Sequence, residues 1–177
     1  MQDEQNLVYR AQQGDEEAFA QLYESYFDKI YRYLALRTGN RTEAEDMTQQ
    51  VFLNALKSIH SFKWKGVSFS AWLFRIAHNL MVDYIRKQNK RATVPLDDSL
   101  PDTGGNPQLM AEQKLGIEQV ISATKCLTKA QREVISLRFA SELSIAEAAK
   151  VMNKNQGAVK ALQHSAIAAL RRALSVA

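Results

Sequence analysis

The sequence predicts an all-α fold: two small helical domains joined by an acidic flexible linker. Three observations carry that expectation. Only three prolines and seven glycines are spread over 177 residues, too few to punctuate a many-stranded fold. Good helix formers (Ala, Leu, Gln, Glu, Lys and Arg) dominate long stretches. All three prolines and a Gly-Gly pair fall in one segment, "ATVPLDDSLPDTGGNPQ", which has no periodic apolar face. The domains are placed at 1–91 and 109–177, with 92–108 as the linker.

In the first domain Phe19, Leu22, Tyr23, Tyr26, Ile30 and Tyr33 recur at spacings of three and four, one face of a helix ending near Gly39. A second helix follows, with Thr42 and Glu45 as a capping box and Ala44, Met47, Val51, Ala55 and Ile59 inward. The segment "SFKWKGVS" breaks the pattern. A third helix starts after Ser68 or Ser70, turns Phe69, Leu73, Ile76, Leu80 and Tyr84 inward, and ends in "RKQNKR".

In the second domain Ile117, Val120, Ile121 and Thr124 suggest a helix, and Thr128 with Gln131 caps another that runs through Val134, Ile135 and Phe139. Ser144 with Glu147 caps a short helix to Met152, and a final helix starts at Asn155. Two short helices joined by about three residues form a helix-turn-helix. Ala149 is the small residue at the closest approach, Asn153 takes the positive φ of the turn, Asn155 caps, and Gly157 leaves the first turn bare. Capped helix pairs also occur in proteins that never touch DNA, so this unit alone supports only a generic DNA reader.

The net charge of +4 conceals a division along the chain. Residues 1–46 hold ten acids against five bases, whereas residues 57–91 hold eight bases against the single acid Asp83. A basic block of that density is a candidate nucleic-acid surface. Within it Phe62, Lys63, Trp64 and Lys65 precede a helix able to offer Asn79, Asp83 and Arg86. Lysines neutralise phosphates, aromatic faces stack on unpaired bases, and Asn, Asp and Arg read base edges, a combination suited to melted DNA. Phe69 and Trp72 lie on or beside the apolar stripe and read as core; Trp64, between two lysines with no stripe to join, is open to either role.

Other chemistries find no support. His60, His78 and His164 are scattered, no glycine-rich phosphate loop is present, and Cys126 stands alone, so neither a metal, a cofactor nor a catalytic constellation is expected. No apolar run approaches the ~20 residues of a spanning helix. The acidic first thirty residues are unlike a signal peptide, so the expectation is a cytoplasmic protein without membrane insertion.

The order "GDEEAFAQLYESYFDKIYRYL", "EAEDMTQQVFLNALK", "FSAWLFRIAHNLMVDYIRKQNKR" and "LSIAEAAKVMNKNQGAVKALQH", with an acidic linker between, resembles the bacterial sigma-70-type initiation factors. The short form, with only regions 2 and 4, resembles their extracytoplasmic-function group. The resemblance implies a non-enzymatic factor that brings core RNA polymerase, through its beta-prime clamp and beta flap, to promoter DNA, with an anti-sigma factor as a further partner. It nominates Asp46, Gln49, Gln50 and Phe52 for the clamp; Gln50 stands where the family has Glu, and Phe52 is equally open to a core role. Phe62, Lys63, Trp64, Lys65, Asn79, Asp83 and Arg86 are nominated for the -10 element and melting. Asn155, Gln156, Gly157, Lys160, Gln163 and His164 are nominated for the -35 element; Ala161, Leu162, Gln163 and Ser165 depart from the family's usual residues. The linker would thread the polymerase's RNA exit path. The alternatives are a helix-turn-helix regulator that is not a polymerase subunit and a protein-binding helical adaptor.

Overall fold

Asp15 begins one of the two 23-residue helices of the first domain by accepting a hydrogen bond from the Ala18 N–H at 3.0 Å, which satisfies one of the unpaired donors of the first turn. The computed structural model describes residues 2–91, 124 and 126–175. The first domain comprises α1 (Gln2–Gln12), α2 (Glu16–Thr38), α3 (Arg41–Ser58), a 3₁₀ turn (Ile59–Ser61) and α4 (Phe69–Arg91). The second comprises α5 (Lys129–Ile135), a wider π turn (Ser136–Ala140), α6 (Ile145–Val151) and α7 (Gln156–Ser175). No strand occurs among the described residues. The helix expected around residues 117–124 lies outside them, apart from Thr124, as does the linker.

Gly39, at φ 67°, closes α2 by donating to the Ala35 carbonyl. The cap of α3 is Asn40, whose side chain accepts from the Glu43 N–H at 3.1 Å. The expected Thr42–Glu45 box is therefore corrected: Asn40 starts the helix two residues earlier, Thr42 lies in its first turn, and Glu45 pairs with Arg41 at 2.9 Å. Ser68 caps α4, accepting from the Ala71 N–H at 3.2 Å.

The inward stripe of α3 is as expected, with Ala44, Met47, Val51, Ala55 and Ile59 all buried. It meets Leu22, Ile30 and Tyr33 of α2 and Phe69, Leu73 and Phe74 of α4 in one core. Full burial of each large side chain stabilises the domain by about 1.5–3 kcal/mol. Helix α1 has too short an apolar pattern to announce itself: Val8 and Ala11 are its buried apolar residues. Its docking is partly polar, because the Gln12 amide donates to the Ile59 and Phe62 carbonyls at 2.9 and 2.8 Å.

Both capping boxes of the second domain are present, Thr128 with Gln131 and Ser144 with Glu147. Phe139 differs from expectation and is 56% exposed. The π turn, in which the Ser141 N–H reaches the Ser136 carbonyl at 3.2 Å, widens the coil and rotates Phe139 off the stripe that buries Val134 and Leu137.

The helix-turn-helix is closed by a Schellman motif. Asn153 sits at φ 52°, its N–H donates to Lys150, and the Lys154 N–H donates to the Ala149 carbonyl at 2.9 Å. A β-branched side chain tolerates that left-handed geometry poorly. Asn153→Val is expected to lower unfolding free energy by roughly 1–2 kcal/mol, whereas Asn153→Gly changes it little; chemical denaturation of both variants checks this.

The two domains pack against each other rather than standing apart on a tether. Helix α4 lies along α6, and the π turn lies on α2. The contact is strongly polar, with Lys29 3.0 Å from Glu142 and the Lys150 ammonium donating to the Gly66 carbonyl.

Candidate functional site

Once α3 has filled the core with one stripe, its opposite face is left to solvent. Asp46, Gln49 and Gln50 are exposed there, and Gln50 donates to Asn54 at 2.9 Å. Phe52 is corrected: it is 5% exposed, with its ring 4.6 Å from Tyr23 and 6.4 Å from Phe27. The apolar groups on the outer face are Leu53 and Leu56, 50% and 48% exposed, which sequence reasoning missed. Positions 46, 49, 53 and 56 recur at helical spacing, so two leucines stand beside two polar residues in one ridge. The available signal was that both leucines fall off an inward stripe that is already complete.

The loop before α4 separates the aromatic pair proposed for DNA. Phe62 is corrected to a core residue, 5% exposed, with its ring 5.1–5.7 Å from Trp64, Trp72 and Phe69. Trp64 is 36% exposed and touches Phe62 edge-on at 5.1 Å. The Gly66 N–H donates to the Trp64 carbonyl at 2.6 Å, a tight turn centred on Lys65, and the chain then leaves it through Gly66 at φ 68°. The indole is thus anchored along one edge and open elsewhere, between exposed Lys63 and Lys65. Asn79, Asp83 and Arg86 are exposed along one line of α4. The 3.7 Å Asp83–Arg86 pair is solvent-screened and leaves both groups available.

On α7, Gln156, Lys160 and His164 are exposed at intervals of four and share a face. Two of the nominated residues are corrected. Asn155 commits its side-chain oxygen to the Ala158 N–H at 2.7 Å, so it shapes the helix start rather than reading bases with that atom. Gln163 is half-buried and accepts from the Arg138 guanidinium at 3.0 Å within its own domain. Gly157 has a local reason: a Cβ there would lie 3.3 Å from the Asn155 cap oxygen, so the glycine makes room for the cap. Ser165 accepts from Gln131 at 3.1 Å.

The loop before α4 and the start of α7 line the same groove, of about 640 Å³. Lys65 and Arg75 border it from the first domain, Lys150, Lys154 and Gln156 from the second, and no acid lines it.

Besides Glu142, which pairs with Lys29, two further carboxylates of the second domain reach into the first. Glu133 on α5 is 5% exposed; it accepts from the Tyr33 hydroxyl at 2.7 Å, lies 2.9 Å from His78 Nδ1, and pairs with Arg37. Burial pushes its carboxyl up, but the His78 hydrogen bond, the Arg37 charge and the Tyr33 hydroxyl together hold it below the ordinary range. Glu147 accepts from the Ser68 and Ser70 hydroxyls, each at 2.6 Å, as well as capping α6. Partial burial opposes its charge, yet those hydroxyls and Ser144 bring its carboxyl from 4.5 down to about 2.

A carboxyl with a depressed pKa in the folded state stabilises that state above its unfolded value, and the contribution disappears as pH falls through the folded value. For Glu147 that window runs from about 4.5 down to about 2, and Glu133 acts in the same direction. The thermal midpoint is therefore expected to fall on acidification across this window, and Glu147→Gln to flatten the dependence. Melting curves at stepped pH check it; a midpoint rising on acidification would contradict it.

Among the described residues no helix is long and apolar enough to cross a membrane. The family described as Sigma-70 region 2 matches residues 22–91, and Sigma-70, region 4 matches 123–172. BldN of Streptomyces coelicolor, an ECF RNA polymerase sigma factor, is 39% identical over 95% of this chain, which spans 64% of BldN's length. SigW of Bacillus subtilis, also an ECF RNA polymerase sigma factor, is 36% identical over 94% of each chain. The solved structure of CnrH in complex with the cytosolic domain of CnrY matches at a TM-score of 0.73 and 26% identity, over 98% of each chain. Two matched regions in order, and relatives similar along almost the whole chain, show that this protein belongs to the ECF RNA polymerase sigma factors.

Proposed function

We propose that this transcription initiation factor docks on core RNA polymerase through the α3 ridge, captures melted -10 DNA at Lys63, Trp64, Lys65 and the Asn79–Asp83–Arg86 face, and reads the -35 duplex through α7. The observation that carries this reading is one chain presenting three unlike surfaces. They are a half-apolar helical ridge suited to a protein, a basic loop with an anchored but open indole suited to unpaired bases, and a helix-turn-helix suited to a major groove. No covalent step is required. Unstacking a base costs a few kcal/mol, and an aromatic platform in a basic setting offsets about 1–3 kcal/mol of it.

Lys160 and Lys154 supply phosphate contacts at the recognition helix, while exposed Gln156 and His164 face the base edges. An anti-sigma partner is part of the proposal, supported by the similarity to CnrH, which was solved bound to the cytosolic domain of CnrY. The expected location is the cytoplasm. Mobility-shift titration tests the reading: the isolated chain binds promoter DNA weakly and without sequence preference, and adding core polymerase produces a promoter-specific complex. Tight, sequence-specific binding by the chain alone would favour a conventional regulator instead.

A further inference from the structure

We propose that the groove between the loop before α4 and the start of α7 is a binding site for a linear oligophosphate, either a free polyphosphate chain or the phosphate tail of a nucleotide. Such a site stands whether or not the promoter-reading roles proposed above hold, since it depends only on the groups around one cavity.

Four cations on four separate segments border this cavity: Lys65 in the loop, Arg75 on α4, Lys150 near the end of α6 and Lys154 in the turn before α7. Like charges gathered in a cleft repel one another, and a carboxylate placed among them relieves the repulsion. Arg10, Lys29, Arg37 and Arg41 each face such an acid. The four groove cations do not: no acid lines the cavity, and none of the four pairs with a carboxylate among the described residues. Glu147, the acid of α6, is committed to the hydroxyls of Ser68, Ser70 and Ser144. Lys150 gives one N–H to the Gly66 carbonyl, and an ammonium has others to offer. All four residues are exposed, so their charge is available to a solute.

Size and lining narrow the ligand. A volume of about 640 Å³ falls within the roughly 300–1,000 Å³ of small-molecule sites. A phosphate group carries a charge of about −1.5 to −2 near neutral pH, so balancing four cations takes more than one phosphate, joined in a chain. The Arg75 guanidinium can grip two oxygens of one phosphate, while the lysines act as point charges along the chain. Asn153 and Gln156 add exposed amides. The apolar part of the lining is small and aliphatic, from Val67, Ala71, Ala146 and Ala149, and it offers no aromatic face on which a base could stack. The phosphates are therefore recognised and the base is not. Because the first domain supplies Lys65 and Arg75 and the second Lys150 and Lys154, the ligand binds the folded chain with both walls in place and stabilises it by mass action.

Isothermal titration of the full chain, in magnesium-free buffer at physiological ionic strength, tests the site with sodium tripolyphosphate, orthophosphate, ATP, GTP and a short oligothymidylate as probes. One tripolyphosphate per chain is expected to bind about tenfold or more tighter than orthophosphate, with ATP and GTP alike to within about threefold. Arg75→Gln combined with Lys150→Gln, at two positions outside those proposed to read the promoter, weakens tripolyphosphate by roughly tenfold or more. Lys160→Gln, on α7 but outside the groove, changes it by less than about twofold. Lys150→Gln alone, at an exposed position, shifts affinity in the same direction as the double variant. Circular dichroism checks that each variant is folded, and tripolyphosphate raises the melting midpoint of the unsubstituted chain more than that of the double variant. Orthophosphate binding as tightly as tripolyphosphate, or equal affinity with and without Arg75 and Lys150, would overturn the site. So would a clear preference between ATP and GTP, or binding of the oligothymidylate alone, which would assign the groove to a DNA backbone. Neither polymerase nor promoter enters these titrations, so their failure is distinct from failure of the promoter reading.

Discussion

Replacing Leu53 and Leu56 together by aspartate is expected to lower affinity for core RNA polymerase by about a hundredfold or more, which is the loss of two central apolar anchors at roughly 2 kcal/mol each allowing for non-additivity. Both side chains are half exposed on the outer face of α3, so the fold loses little: exposed substitutions away from special features usually fall within about ±0.5 kcal/mol. The contrast is with Phe52, whose ring packs on Tyr23 and Phe27. Phe52→Ala would destabilise the first domain by about 3–5 kcal/mol and reduce polymerase binding only through unfolding. Surface-plasmon titration on immobilised core polymerase, beside a thermal melt, separates the two. Undiminished binding by the double aspartate variant would remove the α3 ridge from the interface.

Trp64→Ala is expected to reduce formation of the open promoter complex by about ten- to a hundredfold, the equivalent of one lost base–aromatic stack. Duplex recognition through α7 should persist, since Trp64 lies in the first domain and lines no part of the second. Phe62 supports the indole edge-on, so Phe62→Ala should impair opening as well, but with a fall in stability that Trp64→Ala does not share. Permanganate footprinting of the reconstituted holoenzyme on an intact promoter and on a pre-melted bubble measures the difference. Equal loss on both templates would place Trp64 in general DNA affinity rather than in strand capture.

Local features of this fold were legible in the sequence because their causes are local. The inward stripe of α3, the Thr128–Gln131 and Ser144–Glu147 boxes, and the left-handed Asn153 each depend on a few neighbouring residues. Asn40 was overlooked because Thr42 and Glu45 imitate the same capping spacing. Phe52 and Leu53 differ by one position, and only the packing of α2 decides which side chain faces the core. The π turn that exposes Phe139 has no residue code, and it displaces a pattern that was otherwise continuous.

The pairing of Glu133 was beyond sequence reasoning for a different reason. Its partners Tyr33 and Arg37 lie on α2, nearly a hundred residues earlier, and in sequence Glu133 looks like an ordinary solvated helix carboxylate. Only the packing of α5 against the first domain gives it donors. Gln163 was likewise misassigned because Arg138, a residue of another helical segment, claims its carbonyl oxygen. Outward-looking residues on α7 were legible as a set, while the ones already engaged could be removed only with the geometry in hand.

The most direct measurement is runoff transcription from a promoter selected from random DNA by the reconstituted holoenzyme, with core polymerase alone as the reference. Transcripts that start at the selected promoter only when this chain is added, and that weaken when Leu53 and Leu56 or Trp64 are replaced, are the predicted result. Transcripts of equal abundance and the same start without the chain would contradict its role as a promoter-specificity subunit.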